Sequence, residues 1–446
     1  MKSTQRTISS LKLAVRSAVL LSLFVTPVII GADDWPEWRG SGRQSVWTED
    51  GIVERFPTGG LKTTWRTPVN GGFSGPAVAD GRVFVVDFEF LPETRVMDGT
   101  ERVLALDEMT GEILWTHEWP TEYRNLQLSY ATGPRATPTV DGDYVYVAGG
   151  AGMLLCLEVE TGEVVWQRDT VSEYDTTVPV WGTSSSPLVD GDLVISVVGG
   201  EPDALVVAFD KSSGDEVWRA IDVVSEMGYA QPVIIQAGGV RQLIVWHPTA
   251  VSSLNPETGE VYWEEPWEAR SAITVATPVR SDNYLFFSQF YGGSLMLRLD
   301  NDRPEATQIW RISGASEMPD QTESLHSLIT TPIIEGDFIY GVDSYGELRG
   351  LEAMTGKRLW VSDQMTAQRR RRNAVGAGDQ LFIGGPDHEA GFLRKLVFGI
   401  EGQKRVQDRK AAIARPQRRT RFPHGMKQFP LVEPCPLRGF PRRFLA

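Results

Sequence analysis

The sequence predicts an all-β fold, a β-propeller of four-stranded antiparallel blades, and three observations carry that prediction. Seven tryptophans recur at 65, 115, 166, 218, 263, 310 and 360, with gaps of 50, 51, 52, 45, 47 and 50 residues. A second element, built around Pro and a Gly turn, alternates with them. No stretch of the body holds a 3.6-residue apolar period, so helices should be few. A fixed spacing of this size marks a repeat architecture, and four strands per unit repeated radially make a propeller. A linear solenoid is the rival, disfavoured because its repeats are usually shorter.

The first element of the repeat is LALDEMTGEILW, residues 104–115. It recurs as LCLEVETGEVVW, VVAFDKSSGDEVW, SSLNPETGEVYW and RGLEAMTGKRLW, and more loosely as LMLRLDNDRPEATQIW. KTTWRTPV around Trp65 keeps only the final part. Each copy reads as a strand, an acidic Thr-Gly turn and a second strand that carries the tryptophan. The alternating element appears as SGPAVADGRVFVV, ATPTVDGDYVYVA, SSPLVDGDLVISV, ATPVRSDNYLFFS and TTPIIEGDFIYGV. Its Asp-Gly and Glu-Gly-Asp centres are hairpin turns, because Gly accepts the positive φ they require. Alternation such as Val-Tyr-Val marks a strand with one buried face. Six units run complete from one Trp to the next, and NAVGAGDQLFIGG begins a seventh whose outer strand the Trp65 segment would supply. Seven blades are expected, eight if the tail holds another.

Length and charge bound the rest. At 446 residues the chain exceeds one ordinary core. Residues 1–32 place Lys2, Arg6, Lys12 and Arg16 before an apolar run broken by Pro27, then Ala32, which reads as a signal peptide cut before Asp33. An uncleaved anchor is the alternative, although the run is short for a membrane span. The propeller is expected over 33–401 and a basic Arg/Pro-rich tail over 402–446. Residues 361–446 carry 18 Lys and Arg against 7 Asp and Glu, which leaves 26 basic and 51 acidic groups in residues 1–360. A body so acidic repels phosphates and disfavours nucleic acid. The tail is either a disordered basic arm or a divergent C-terminus. Cys156 and Cys435 are far apart, and Cys156 lies in the apolar run MLLCLEV, so burial is expected rather than a disulfide framework.

The pattern LxALDxxTGExxW resembles the tryptophan-docking repeat of pyrroloquinoline-quinone-type propellers. That family includes quinoprotein dehydrogenases and the propeller subunit of the outer-membrane β-barrel assembly machine. WPEWRG, GPRATPTVDGDYVYVAG and WGTSSSPLVDGDLVISVVGG resemble secreted bacterial propellers with these repeats. The resemblance covers residues 33–385 and speaks to fold more than function. It implies that Trp65, Trp115, Trp166, Trp218, Trp263, Trp310 and Trp360 pack between blades, each near the Thr-Gly turn of its neighbour. A large flat side chain at one phase of every unit is also what blade-to-blade burial requires, at roughly 1.5–3 kcal/mol or more for each buried large side chain.

Motifs for chemistry are few. Quinoprotein dehydrogenases often set a vicinal cysteine pair against the quinone and hold calcium with carboxylates and amides; Cys156 and Cys435 are not adjacent. The histidines at 117, 247, 326, 388 and 424 have no pair at ligand spacing, and no Cys-x-x-Cys occurs. DNDRPEATQIW lacks the Gly and Glu of a calcium loop. Gly350 and Gly356 stand one residue too far apart for a phosphate loop, and Arg358 replaces its Ser/Thr. GGFSGP misses the nucleophile-elbow spacing. No catalytic or metal residue is nominated, and no cofactor is expected except pyrroloquinoline quinone (PQQ) with calcium under a dehydrogenase reading.

That leaves binding, for which the long interblade loops are the place. They carry Tyr123, Arg124, Arg135, Trp181, Trp267, Arg270 and His326 as candidates for an exposed binding face, because aromatics with Arg favour interfaces. The expectation is a non-catalytic exported propeller, periplasmic or extracellular, with a protein partner at the cell envelope and no transmembrane span once mature. The alternatives are a PQQ-dependent dehydrogenase and a polysaccharide-binding propeller.

Overall fold

The computed structural model describes residues 33–46, 48, 57–91, 98–123, 126 and 133–362, all within one compact unit, Met1–Glu389. The chain forms an all-β propeller, and six blades lie in the described residues. Blade 1 holds β1 (Ala77–Ala79), β2 (Arg82–Phe90), β3 (Asp98–Asp107) and β4 (Ile113–Glu122). Blade 2 holds β5 (Thr139–Asp141), β6 (Tyr144–Ala148), β7 (Met153–Glu158) and β8 (Val164–Asp169). Blade 3 holds β9 (Leu188–Asp190), β10 (Leu193–Gly200), β11 (Ala204–Asp210) and β12 (Glu216–Ala220). Blade 4 holds β13 (Val233–Ala237), β14 (Val240–His247), β15 (Ala250–Leu254) and β16 (Val261–Pro266). Blade 5 holds β17 (Val279–Ser281), β18 (Tyr284–Gln289), β19 (Gly293–Leu299) and β20 (Ala306–Ile312). Blade 6 holds β21 (Ile333–Glu335), β22 (Phe338–Val342), β23 (Leu348–Glu352) and β24 (Arg358–Ser362). Among the described residues there is one short α-helix, Thr170–Tyr174, capped by the Asp169 side chain, besides three single-turn 3-10 helices.

Every blade is an antiparallel meander in chain order. Its core is therefore shared with its neighbours: five clusters of buried residues lie between successive blades rather than at one centre. Phe84, Val86 and Val103 of blade 1, for example, pack against Val145, Val147 and Leu157 of blade 2. The first strands of blades 1, 2 and 3 approach one another, as do those of blades 5 and 6, so they line the axis.

The Trp-bearing strand follows one rule in all six blades. Its pairing slips by one residue just before the tryptophan: Ala105 faces Trp115 while Leu106 faces Ile113, and Cys156 faces Trp166 while Leu157 faces Val164. The same slip occurs at Trp218, Trp263, Trp310 and Trp360. Such a bulge bends the strand and re-aims the side chain that follows it. Here it directs the indole out of its own blade. Trp115, Trp166, Trp218 and Trp310 donate from Nε1 to Val159, Lys211, Pro256 and Ala353 carbonyls of the next blade, at 2.9, 3.0, 3.1 and 2.9 Å. Glycine is needed where the indole lands. Gly162 has φ +72°, and a Cβ there would come within 2.5 Å of the Trp115 ring. The acidic residue of the motif caps the turn: Asp107 Oδ1 accepts from the Met109 and Thr110 amides at 3.0 and 2.8 Å.

Two tryptophans differ. The turn facing Trp263 is Asn-Asp-Arg-Pro and has no Thr-Gly, so Trp263 Nε1 donates to Gln242 of its own blade at 2.9 Å while its ring still packs toward blade 5. Trp360 lies against Gly350 and Tyr340 of its own blade. Trp65 sits in a segment without strand pairing, yet it donates to the Glu108 carbonyl at 2.7 Å, as a preceding blade's outer strand would. The expected seventh blade, the signal peptide and the basic tail all fall outside the described residues. Among the described residues, no helix is long and apolar enough to cross a membrane.

Residues 35–45 run across the axis. Trp35 pairs with Val78 of β1, and the Pro36 carbonyl accepts from Val140 of β5 at 2.8 Å. Trp38 Nε1 donates to Thr277 at the entry to blade 5. Arg43 donates to the carbonyls of Ser186, Pro187 and Pro232, which lead into blades 3 and 4. Five blades are thus touched by one short segment.

Candidate binding face

A four-stranded meander places its first and third turns at one end and its second turn at the other, together with the connection to the next blade. The interblade loops and the second turns therefore share a face. Two aromatic–arginine clusters form on it.

The first joins blades 1 to 4. Arg135 donates from Nε to the Trp181 carbonyl at 2.7 Å, and its guanidinium stands 5.3 Å from the Phe73 ring centre. Trp181 in turn lies 5.5 Å from Tyr229. Arg135, Trp181 and Phe73 are half-buried, whereas Tyr229 is buried and its phenol is pushed up by desolvation. The second cluster spans blades 5 and 6. Exposed Arg270 stands 4.7 Å from the ring centre of Tyr291, Phe290 packs edge-on against Tyr291 at 4.5 Å, and exposed Tyr345 lies 6.3 Å from Phe290. Each guanidinium lies against an aromatic face, an arrangement worth about 0.5–1 kcal/mol when exposed and more once a partner excludes water.

Three of the expected face residues are instead buried. Tyr123 has no exposed surface: it stacks on Phe88 at 4.3 Å and donates to the Glu101 carboxyl. Glu101 also accepts from the Gly150 amide at 2.7 Å, and burial raises its carboxyl above the usual range despite those bonds. The pair fixes the second turn of blade 2 and serves packing. Trp267 stacks on Trp246 at 5.4 Å and 7° in the core between blades 4 and 5. His326 is fully buried, with Nδ1 2.8 Å from the Phe290 carbonyl, so it supports the second cluster from beneath. Their burial has one physical cause: a long interblade loop must cross the top of two blades, and its large rings fill the seam. Arg124 lies outside the described residues. Phe73, Tyr229, Phe290, Tyr291 and Tyr345 escaped the sequence reading. FYGG and DSYGE are second turns of blades 5 and 6, and counting strands from each Trp would have put them on the same face.

Among the described residues, neither a vicinal cysteine pair nor a calcium donor set is present. Cys156 is fully buried in β7 opposite Trp166, where other blades place Ala, Ser, Met or Gly, and burial pushes its thiol up to about 12. Cys435 lies outside the described residues. Among those described, no three His, Cys, Asp or Glu side chains converge as a metal's donor set. No catalytic step follows from such a group.

Residues 57–131 and 99–362 match a family model described as "Outer membrane protein assembly factor BamB". The assembly factor of that name from Burkholderia pseudomallei (strain K96243) is 30% identical over 220 residues, 48% of this chain and 49% of that one. Quinohemoprotein alcohol dehydrogenase ADH IIB of Pseudomonas putida is 27% identical over 145 residues, 32% of this chain and 21% of that one. Among solved structures, BamB from Moraxella catarrhalis aligns with a TM-score of 0.40 at 16% identity, covering 65% of this chain and 83% of that one. The chain spans about half the length of the first curated relatives it matches.

Proposed function

This chain belongs to the family described as "Outer membrane protein assembly factor BamB", and from that membership we propose that it is a non-catalytic, exported propeller that holds a protein partner at the cell envelope. The observation that carries the reading is the cluster of Arg270, Phe290, Tyr291 and Tyr345. It offers aromatic faces and a cation at the rim of a ring whose blades are individually tied. Aromatics and arginine presented on a stiff support are what protein interfaces favour, because little side-chain freedom is lost on docking. Supporting it from another side, several relatives carry the name of an assembly factor.

The test is capture of envelope proteins by the immobilised chain, comparing wild type with a Tyr291→Ser/Tyr345→Ser variant of equal melting temperature. Specific partners lost in the variant support the reading; identical capture by both overturns the assigned face. Calcium-dependent dye reduction after addition of PQQ would replace the scaffold with a dehydrogenase. Retention on a glycan column, relieved by the same substitutions, would replace it with a polysaccharide-binding propeller.

A further inference from the structure

The segment across the axis contains two buried arginines with opposite circumstances. Arg43 has a counter-ion: Glu37 lies 3.0 Å from its Nε, and Nη1 and Nη2 are taken up by the carbonyls of Ser186, Pro187 and Pro232. Arg39 is 7% exposed, and its side chain makes one hydrogen bond among the described residues, from Nε to Ser45 Oγ at 2.6 Å. Its two Nη atoms meet no carboxylate and no carbonyl among the described residues. Glu37, the acid nearest in sequence, is committed to Arg43 and to the Gly42 amide.

A guanidinium largely withdrawn from water without a counter-ion is costly. Desolvation, with no opposing charge among its causes, holds Arg39 down to about 10. The backbone is also bent to keep it there. Arg39 adopts φ +64°, Ser45 adopts φ +56°, and the Ser45 amide closes the loop onto the Arg39 carbonyl at 2.7 Å. Non-glycine residues held in the left-handed region gather where a side chain must be presented for a purpose.

We propose that the Nη1–Nη2 edge of Arg39 is a binding site for a small oxyanion, a carboxylate or a phosphate, held at the axis by the segment 35–45. Because Ser45 occupies Nε, the end-on edge is the one left, and two parallel N–H donors match the two oxygens of a carboxylate or phosphate. Trp38 and Arg43 pin the loop on either side of Arg39 to blade 5 and to the entries of blades 3 and 4. The guest is therefore small, or presents only its anionic tip.

The full chain, exchanged into chloride buffer, is to be titrated with inorganic phosphate and separately with acetate at matched ionic strength while its melting temperature is followed. A saturable rise with either anion is expected; a response to phosphate alone identifies free phosphate chemistry, and to acetate alone a carboxylate source. In Arg39→Met the rise should vanish, with apparent affinity weakened at least about tenfold. The variant's melting temperature in chloride should equal or exceed the wild-type value, because an unpaired charge has left the interior. Equal rises with added chloride, or a rise that survives Arg39→Met, would overturn the site. Should Arg39→Met fail to fold, calorimetric titration of the wild-type chain decides: saturable heat with phosphate or acetate supports the site, and its absence overturns it.

Discussion

Cys156 stands directly across the strand ladder from Trp166, and the Trp166 indole leaves that ladder to reach the Lys211 carbonyl of the next blade at 3.0 Å. The one relationship explains both residues. A bulge before Trp166 turns the ring outward, and the position opposite it is occupied by a compact side chain.

Trp166→Ala should therefore destabilise the ring by about 3–5 kcal/mol, the range for removing a large buried aromatic. It should leave the face of Arg270 and Tyr345 untouched. Chemical denaturation read against partner capture checks this, and an unchanged unfolding midpoint would refute the docking role. Cys156→Ala should cost much less, because Ala105 and Ala208 occupy the same register in blades 1 and 3.

Arg349 and Asp343 meet at 2.7 Å with neither side chain exposed, and Arg349 also binds the Thr322 hydroxyl and the Ser324 carbonyl. The group fastens the long loop between blades 5 and 6. Removing one member strands a buried charge, so Arg349→Ala should cost about 3–5 kcal/mol. Replacing both with apolar residues of similar volume should recover part of the loss. Urea midpoints of the two variants decide between these outcomes.

Burial holds His247 down to about 4, with Ser252 and Thr249 hydroxyls at its two ring nitrogens. The folded chain thus resists a proton that the unfolded chain accepts near 6.5. The stability this group contributes is complete above about pH 6.5 and is lost as pH falls toward 4. The loss is on the order of 3 kcal/mol. The difference between wild type and His247→Asn, followed by melting temperature across that window, should narrow as the pH drops.

Glu101 works in the other direction. Its carboxyl is raised, chiefly by burial, so the folded state keeps a proton that the unfolded state gives up in the ordinary carboxylate range. Its contribution is greatest in acid and declines as pH climbs through the raised value. Glu101→Gln keeps an acceptor for Tyr123 and Gly150. Its melting temperature should gain on wild type as pH rises; a constant difference would count against the carboxyl as the source.

The repeat was legible because its parts are local: Asp107, Thr110 and Gly111 make a turn by their own chemistry, and Trp115 follows at a fixed distance. The bulge was not legible, since a one-residue slip depends on how two strands settle against a third body. Trp263 looked regular for the same reason, although what it lacks is a feature of the blade it faces. Among the candidates for the face, Arg135, Trp181 and Arg270 lie in the two clusters, while Tyr123, Trp267 and His326 went inward. Composition of a loop cannot say which of its rings fills a seam.

The tryptophan joint has a direction. At the joints made by Trp65, Trp115, Trp166, Trp218 and Trp310 an indole from one side meets the turn of the following blade, so the contact is head-to-tail rather than reciprocal. Contacts of that kind either close on themselves or keep adding members. Trp65 already fills the Gly111 turn of blade 1, which makes residues 57–70 a stopper although they pair with no strand. A chain deprived of them would present an open socket to any copy with a free indole, and its hazard would be growth into filaments as much as loss of fold.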